Sequence, residues 1–233
     1  MKVLKVLFFV LLLKAGNGWA QNTSPISAGV DVGTGVGSIS WAPSILYHEE
    51  LGSRKLPWLR AGLGFRAWGY YAGRTNLESA VIRNSTEILE YRDVSVNGLS
   101  VIAGLNIVFW KIDLGIDTDL LGLAFGSERN AFYEKSTQVP GSGQANYNRW
   151  LPTHPTIFNA LPLVLNKNSG QSEAFVRFRF SPKVGIKLGY LYGRTTYTTR
   201  KSKDFNVYLD NKQRHVSVVY GLPYAALSFS IND

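Results

Sequence analysis

The sequence predicts an all-β protein, an eight-stranded antiparallel up-and-down transmembrane β-barrel. Three observations carry this expectation. Long segments alternate apolar and polar residues with a period of two, which in a strand puts one kind on each face. The connections between these segments alternate between short and long. An export leader opens the chain, and no later segment reaches the ~20 apolar residues a membrane helix needs.

The pattern is clearest in residues 97–126, read as two strands joined at Trp110-Lys111. Leu99, Val101, Ala103, Leu105, Ile107 and Phe109 alternate with Ser100, Gly104 and Asn106. Past the turn, Ile112, Leu114, Ile116 and Leu120 alternate with Asp113, Gly115, Asp117 and Asp119. A soluble sandwich would turn the apolar face inward. A transmembrane barrel turns it toward lipid and keeps the polar face in its lumen.

Residues 1–20 read as a signal peptide, with Lys2 and Lys5 ahead of a short apolar core and cleavage expected after Ala20. Residues 21–233 then form the barrel domain, expected in a cell outer membrane. Residues 27–32 read as the first strand, Gly33 to Gly35 as a tight turn, and 36–47 as the second strand. The run DVGTGVGS lacks the Lys-Ser/Thr ending of a phosphate loop and no helix pattern follows it. Residues 49–56 read as a short charged connection and 58–74 as the third strand, with Arg60, Gly62, Gly64, Arg66 and Trp68 on its polar side. Residues 75–93 read as a long, partly helix-like loop containing the sequon Asn84-Ser85-Thr86, taken as a chance match. Residues 127–171 are the longest irregular stretch; its Phe132, Tyr133, Tyr147, Trp150 and Phe158 are candidates for binding an external ligand. Strands six, seven and eight are expected at 173–180, 183–198 and 214–231, with a bulge near Gly221-Leu222-Pro223.

With an even strand count and the short connections on one side, apart from the Gly33 to Gly35 turn, which is the one short connection on the other, both chain ends fall on the periplasmic side and the long loops outside. The expected lumen holds Asp31, Arg60, Arg66, Asp113, Asp117, Asp119, Arg177, Arg179 and Lys187. Unpaired burial of any of these would cost several kcal/mol, so mixed signs on neighbouring strands imply an internal ion-pair network. Eight strands enclose about the volume that side chains fill, so no open pore is expected. Tyr47, Trp58, Trp68, Tyr70, Tyr71, Trp110, Tyr190 and Tyr192 lie near strand ends, as interfacial girdle residues would.

The leader, the amphipathic strands and the sorted loops resemble the small OmpA/OmpX-type outer-membrane barrels. The segments GLNIVFWKIDLGIDTDLLGLAFG and HPTIFNALPLVLNKNSGQSEAFVRFRF are similar to those of a group of such barrels. The resemblance implies the architecture and no catalytic residues. The chain departs from the type at Phe229, which is followed by Ser230, Ile231, Asn232 and Asp233 where an aromatic end read by the assembly machinery is usual.

The 233 residues contain no cysteine, which excludes disulfides and thiolate metal sites. The formal charge is +9, and no basic helix or dense Lys/Arg cluster accompanies it, so nucleic acid is not an expected partner. The expected partners are outer-membrane lipid or lipopolysaccharide and the assembly machinery; the loops' external ligand is open. No cofactor or metal motif is present. The three histidines are His48, His154 and His215; a set of His215, Ser217 and Glu173 can be drawn, but no spacing demands it. A non-enzymatic structural or surface-binding barrel is therefore expected. A lipid-modifying enzyme, a narrow channel or accessory subunit, and a soluble lipocalin-like fold remain alternatives.

Overall fold

The computed structural model describes residues 26–53, 55–80, 87–135, 141–200 and 207–232. The signal-peptide segment and the sequon Asn84-Ser85-Thr86 lie outside them. The described chain is almost entirely strand: β1 (Ile26–Val36), β2 (Ser40–Gly52), β3 (Leu59–Ala72), β4 (Thr75–Ser79), β5 (Glu87–Tyr91), β6 (Val94–Phe109), β7 (Ile112–Phe125), β8 (Arg129–Lys135), β9 (Trp150–Pro155), β10 (Phe158–Ala160), β11 (Gly170–Arg179), β12 (Val184–Thr199) and β13 (His215–Asn232). All thirteen belong to one antiparallel sheet, so the count of eight expected from the sequence differs from the count observed.

The pairings explain the difference. β1, β2, β3, β6, β7, β11, β12 and β13 pair in that order, and β13 pairs back to β1. The added strands lie at the end of the wall opposite the first and last described residues, called here the upper end. There β12, β13, β4, β5, β8 and β9 form a second cyclic succession. The β1–β2 hairpin stops early, at a turn where Gly37 N donates to Ser40 O at 2.7 Å. β3 runs on past it as β4, which leans across the hairpin tip to pair Ser79 with Val216.

Several sequence-based expectations change. Gly33 and Gly35 are strand residues, and the turn lies beyond them at Gly37. β2 extends to Gly52, so the first half of the expected charged connection is strand. The helix-like segment 75–93 supplies β4 and β5, and the irregular stretch 127–171 supplies β8, β9 and β10. Edge pairing overrides helix propensity here, because an unpaired strand end beside β13 offers every backbone group a partner.

The expected bulge at Gly221 to Pro223 is not there: β12 and β13 keep one register from Val184↔Phe229 to Thr198↔His215. The alternation shifts because the environment changes. Low on β13, Leu227, Phe229 and Ile231 are exposed on the outer face while Ala226 and Ser228 point in. Higher up, Val216, Tyr220 and Leu222 are the buried, inward residues of the same face as Ser228. A bulge does occur at Leu120, where Val101 pairs Leu121 but Ile102 pairs Asp119. The extra residue flips the parity of β7, so that Leu121, Leu123 and Phe125 stay outward after Asp113, Asp117 and Asp119 have pointed in.

The interior is therefore stratified. The lower part is lined by charged and polar groups, while the outer wall shows Leu63, Phe65, Leu99, Leu105, Leu114, Ile116, Leu188 and Leu227. The upper ring is inverted, with Leu77, Leu89, Tyr91, Val94, Tyr133, Leu151, Tyr197 and Val216 packed inside it. Trp68 and Tyr70 belong to this interior and not to a girdle; Tyr70 stacks on Tyr220 at 3.8 Å between ring centroids. Gly98 makes room for Trp68, since an added Cβ would lie 2.3 Å from the indole. Trp41 and Tyr71 stack at 4.9 Å and Trp41 stays exposed at the upper edge of the outer belt.

The upper ring has its own apolar core, and its stability is separable from that of the lower wall. Leu89 is fully buried there. Leu89→Ala is expected to loosen the ring by about 2–5 kcal/mol, read as faster tryptic cleavage within β4–β5 and β8–β9 while the lower wall stays protected. Equal loss of protection throughout would contradict two separable cores.

Candidate functional site: the charged interior

The lower interior gathers all nine charged residues picked out in the sequence. Eight of them are 6% exposed or less; Arg179, with its side chain 24% exposed, sits at the lower mouth. At the centre, Lys187 Nζ donates to Asp31 Oδ2 at 2.9 Å, to Asp117 Oδ2 at 3.0 Å and to Glu173 Oε1. Its ammonium also lies 3.7 Å above the Phe175 ring. Phe175 reaches across the interior because Gly115 and Gly189 face it; an added Cβ on Gly115 would lie 2.4 Å from its ring.

Below this knot, Arg177 lies 3.3 Å from Asp31, 3.4 Å from Asp113 and 3.5 Å from Glu50. Asp113 also takes a fork of bonds from Arg179, at 2.6 and 2.7 Å from Nη2. Arg177 and Asp113 are direct cross-strand neighbours on β11 and β7, which is why their pairing was legible from strand order. Glu50 in turn accepts from Asn106 Nδ2 at 2.7 Å and lies 3.0 Å from His48 Nδ1. Arg60 completes the lower layer, 3.9 Å from Glu50 and donating to Ser27 Oγ at 2.8 Å.

Above it, Arg66 Nη1 donates to Asp119 Oδ1 at 2.8 Å and to the Gln171 carbonyl at 3.2 Å. Arg66 Nη2 lies 3.4 Å from Glu173, so the upper and central layers share that carboxylate. Asp119 Oδ2 accepts from the Gln171 amide at 2.9 Å, and Gln171 Nε2 reaches Tyr220 OH at 3.2 Å. Asp31 and Glu173 thus join three layers into one network that runs from Arg60 to Asp119. Trp68 Nε1 to Ser100 Oγ at 2.9 Å closes its top, beneath the apolar core.

Sequence reading put Asn106 on the polar face of its strand but did not place His48, Glu50, Glu173 or Gln171 in this interior. Strand parity would have found two of them. Glu173 shares a face with Arg177 and Arg179, and Glu50 shares one with Leu46 once β2 is extended past Tyr47. Some buried polar atoms have no protein partner: Asp31 Oδ1, Arg177 Nε, Arg66 Nε, Asn106 Oδ1 and Gln171 Oε1. Buried groups of this kind are ordinarily met by internal water.

The five aromatic residues expected to bind an external ligand do not form one site. Tyr133 is fully buried in the upper core, and its hydroxyl accepts from Asp210 N at 3.2 Å. Tyr147 OH holds the Asp210 carboxylate at 2.5 and 2.7 Å, tying the segment around 141–147 to that around 207–210. Phe132 and Trp150 touch on the outside of the upper ring, 5.6 Å apart, with Arg92 stacked 4.9 Å over Trp150. Phe158 lies lower, exposed beside Leu121 and Leu123. The set His215, Ser217 and Glu173 is not assembled: Glu173 is bonded inside to Lys187, whereas His215 bonds Thr198 Oγ1 at 3.1 Å on the other face of the wall.

No family model matches the chain, and no curated protein matches it. Among solved structures, it is similar to Neisserial surface protein A at 10% identity, over 88% of this chain and 94% of that one, with a TM-score of 0.34. It is also similar to a major outer membrane protein from Thermus thermophilus at 9% identity, over 89% of this chain and 100% of that one, with a TM-score of 0.36.

Lys187 is the group whose removal leaves the most charge uncompensated. Lys187→Met is expected to destabilise the fold by about 3–5 kcal/mol, because three buried carboxylates lose their shared cation. Arg179→Gln, at the mouth, should cost clearly less. Urea unfolding of the two variants side by side checks the order, and equal midpoints would contradict it.

Proposed function

We propose that the chain is an integral outer-membrane protein whose eight paired strands form a closed transmembrane barrel, with a sealed charged lumen and a non-enzymatic structural or surface-binding role. The observation that carries this reading is the reversal of faces along single strands. The lower wall is apolar outside and charged inside, whereas the upper ring is apolar inside. In water throughout, the exposed Leu63, Phe65, Leu99, Ile116 and Leu188 would form an apolar surface far larger than soluble monomers show. In a bilayer the same residues contact lipid, and the ion pairs are shielded from it by the wall.

The upper ring supports exposure to water beyond the membrane. Its charged pairs lie outside, as in Arg129–Asp93 at 2.9 Å, and its apolar residues lie within. Trp150 with Phe132 and Arg92 is the exposed aromatic group best suited to contact an external partner. The stacked interior, from the Arg177 layer through Trp68 to Tyr91 and Tyr133, opposes conduction through the lumen.

Expression of the full-length chain followed by membrane fractionation and a heat-modifiability gel tests this reading. Recovery in the outer membrane, with a mobility shift between unboiled and boiled samples, is expected. A soluble periplasmic protein without the shift would overturn it.

A further inference from the structure

On the outer face, at the level where the apolar belt ends, the wall carries a basic row beside an apolar ledge. β9, β12 and β13 place His154, Thr198 and His215 directly side by side, by the register pairs Thr198↔His154 and Thr198↔His215. His215 Nδ1 meets Thr198 Oγ1 at 3.1 Å, and Thr198 Oγ1 meets Thr156 Oγ1 at 2.9 Å. Lys167, exposed on the excursion that follows β10, and Arg214, next to His215 in the chain and donating through Nη2 to the Thr199 carbonyl, both act electrostatically on His215. Burial and the nearby Lys167, Arg214 and His154 hold the His215 imidazole below its usual range. Among the described residues, no ion pair involves His154, Lys167, Arg214 or His215.

The ledge is the excursion between β10 and β11, residues 161–169. Pairing of β7 passes from Leu121↔Ala160 to Thr118↔Ser172, so this excursion leaves the plane of the wall. Its base is fixed: Arg194 Nη1 donates to Pro162 O at 3.3 Å, and Ser169 N donates to Asn159 Oδ1 at 2.6 Å. Its tip exposes Leu163, Val164 and Leu165, with Val164 70% exposed. Phe158, whose register partner is Leu123, joins this apolar surface to the outer belt. A built loop with three consecutive aliphatic side chains turned outward is costly in water and favourable against acyl chains.

Cations at the edge of an apolar belt, next to a ledge that continues the belt, match an amphiphile with a negative headgroup. We propose that this junction binds the phosphate of an anionic lipid in the adjoining leaflet, with Lys167 and Arg214 taking the phosphate and the 163–165 ledge lying along an acyl chain. The inference rests on the membrane-spanning reading above. It names a specific lipid contact within that reading.

The test uses the full chain in detergent, titrated with dioctanoyl phosphatidic acid or dioctanoyl phosphatidylcholine and read by native mass spectrometry. The first phosphatidic acid should bind more tightly than the first phosphatidylcholine. Lys167→Gln and Arg214→Gln should weaken it by about fivefold per charge removed, leaving phosphatidylcholine unchanged. Lys167→Gln alone, at an exposed loop position, keeps the test available if Arg214→Gln fails to fold. Equal affinity for the two lipids, or a preference that survives in the variants, would overturn the site. Displacement by millimolar inorganic phosphate would assign it to free phosphate and overturn the lipid. A heat-modifiability gel on the same sample separates the two levels. A shifted band without lipid preference sinks this inference alone, and no shift sinks the barrel reading and this inference with it.

Discussion

The fold depends on burying Lys187 with its carboxylates inside the wall, with no exposure of the lysine to solvent. Its ammonium is held by Asp31, Asp117 and Glu173, from β1, β7 and β11, while Lys187 itself comes from β12. Four strands that are not all neighbours are thus tied through one atom. Desolvating such a group is expensive, and only multiple short contacts offset it. The surrounding layers share ligands with it: Asp31 also serves Arg177, and Glu173 also serves Arg66. Removing Lys187 takes from Asp117 the cation it pairs with, and leaves Asp31 to Arg177 and His48 and Glu173 to Arg66 alone. The network fixes the register of the wall as much as it fills the interior.

The same constraint accounts for the stratification. Under the proposed reading the lower wall faces lipid, which has no polar role to give its outward side chains. Above the belt that reading puts water outside. The strands do not break or slip at the boundary; the residues on their two faces exchange character. β3 shows this within one strand, with Arg60 and Arg66 inward below and Trp68, Tyr70 and Ala72 inward above. The extension then narrows to fewer strands by letting the β1–β2 hairpin stop and β4 take its place beside β13. A narrower ring suits an aromatic core, and Tyr91 and Tyr197 meet across it at 5.0 Å.

Much of this was legible in residue order. The alternation in β6 and β7 identified the wall's two faces, and strand order put the aspartates of β7 beside the arginines of β11, among which the register pairs Asp113 with Arg177. What escaped did so for physical reasons. Residues 75–93 are rich in helix-compatible side chains, and what makes strands of β4 and β5 is their pairing with each other and with distant β13 and β8. Glu50 and His48 were hidden because charged residues at a strand end look like a connection when the opposite wall is not visible. The change of face near Gly221 resembled a bulge because period-two reading assumes one environment along each strand. Leu120, the residue that does bulge, sits in an unbroken aliphatic run where neither parity is marked. Tyr133 and Tyr147 looked available for binding because their loops are long, yet the segment around Asp210 folds back over them.

The most direct test of the face reversal is a nitroxide scan along β13 in lipid vesicles. The chain contains no cysteine, so single substitutions report without background. Accessibility to oxygen and to a water-soluble nickel complex would be measured at each position from 216 to 231. Oxygen maxima are expected at 225, 227, 229 and 231, with 226 and 228 shielded from both reagents. Above the belt, position 217 should be open to nickel while 216 and 220 stay shielded. Nickel maxima at 225 to 231, or oxygen maxima on the even positions, would contradict a wall that faces lipid below and water above.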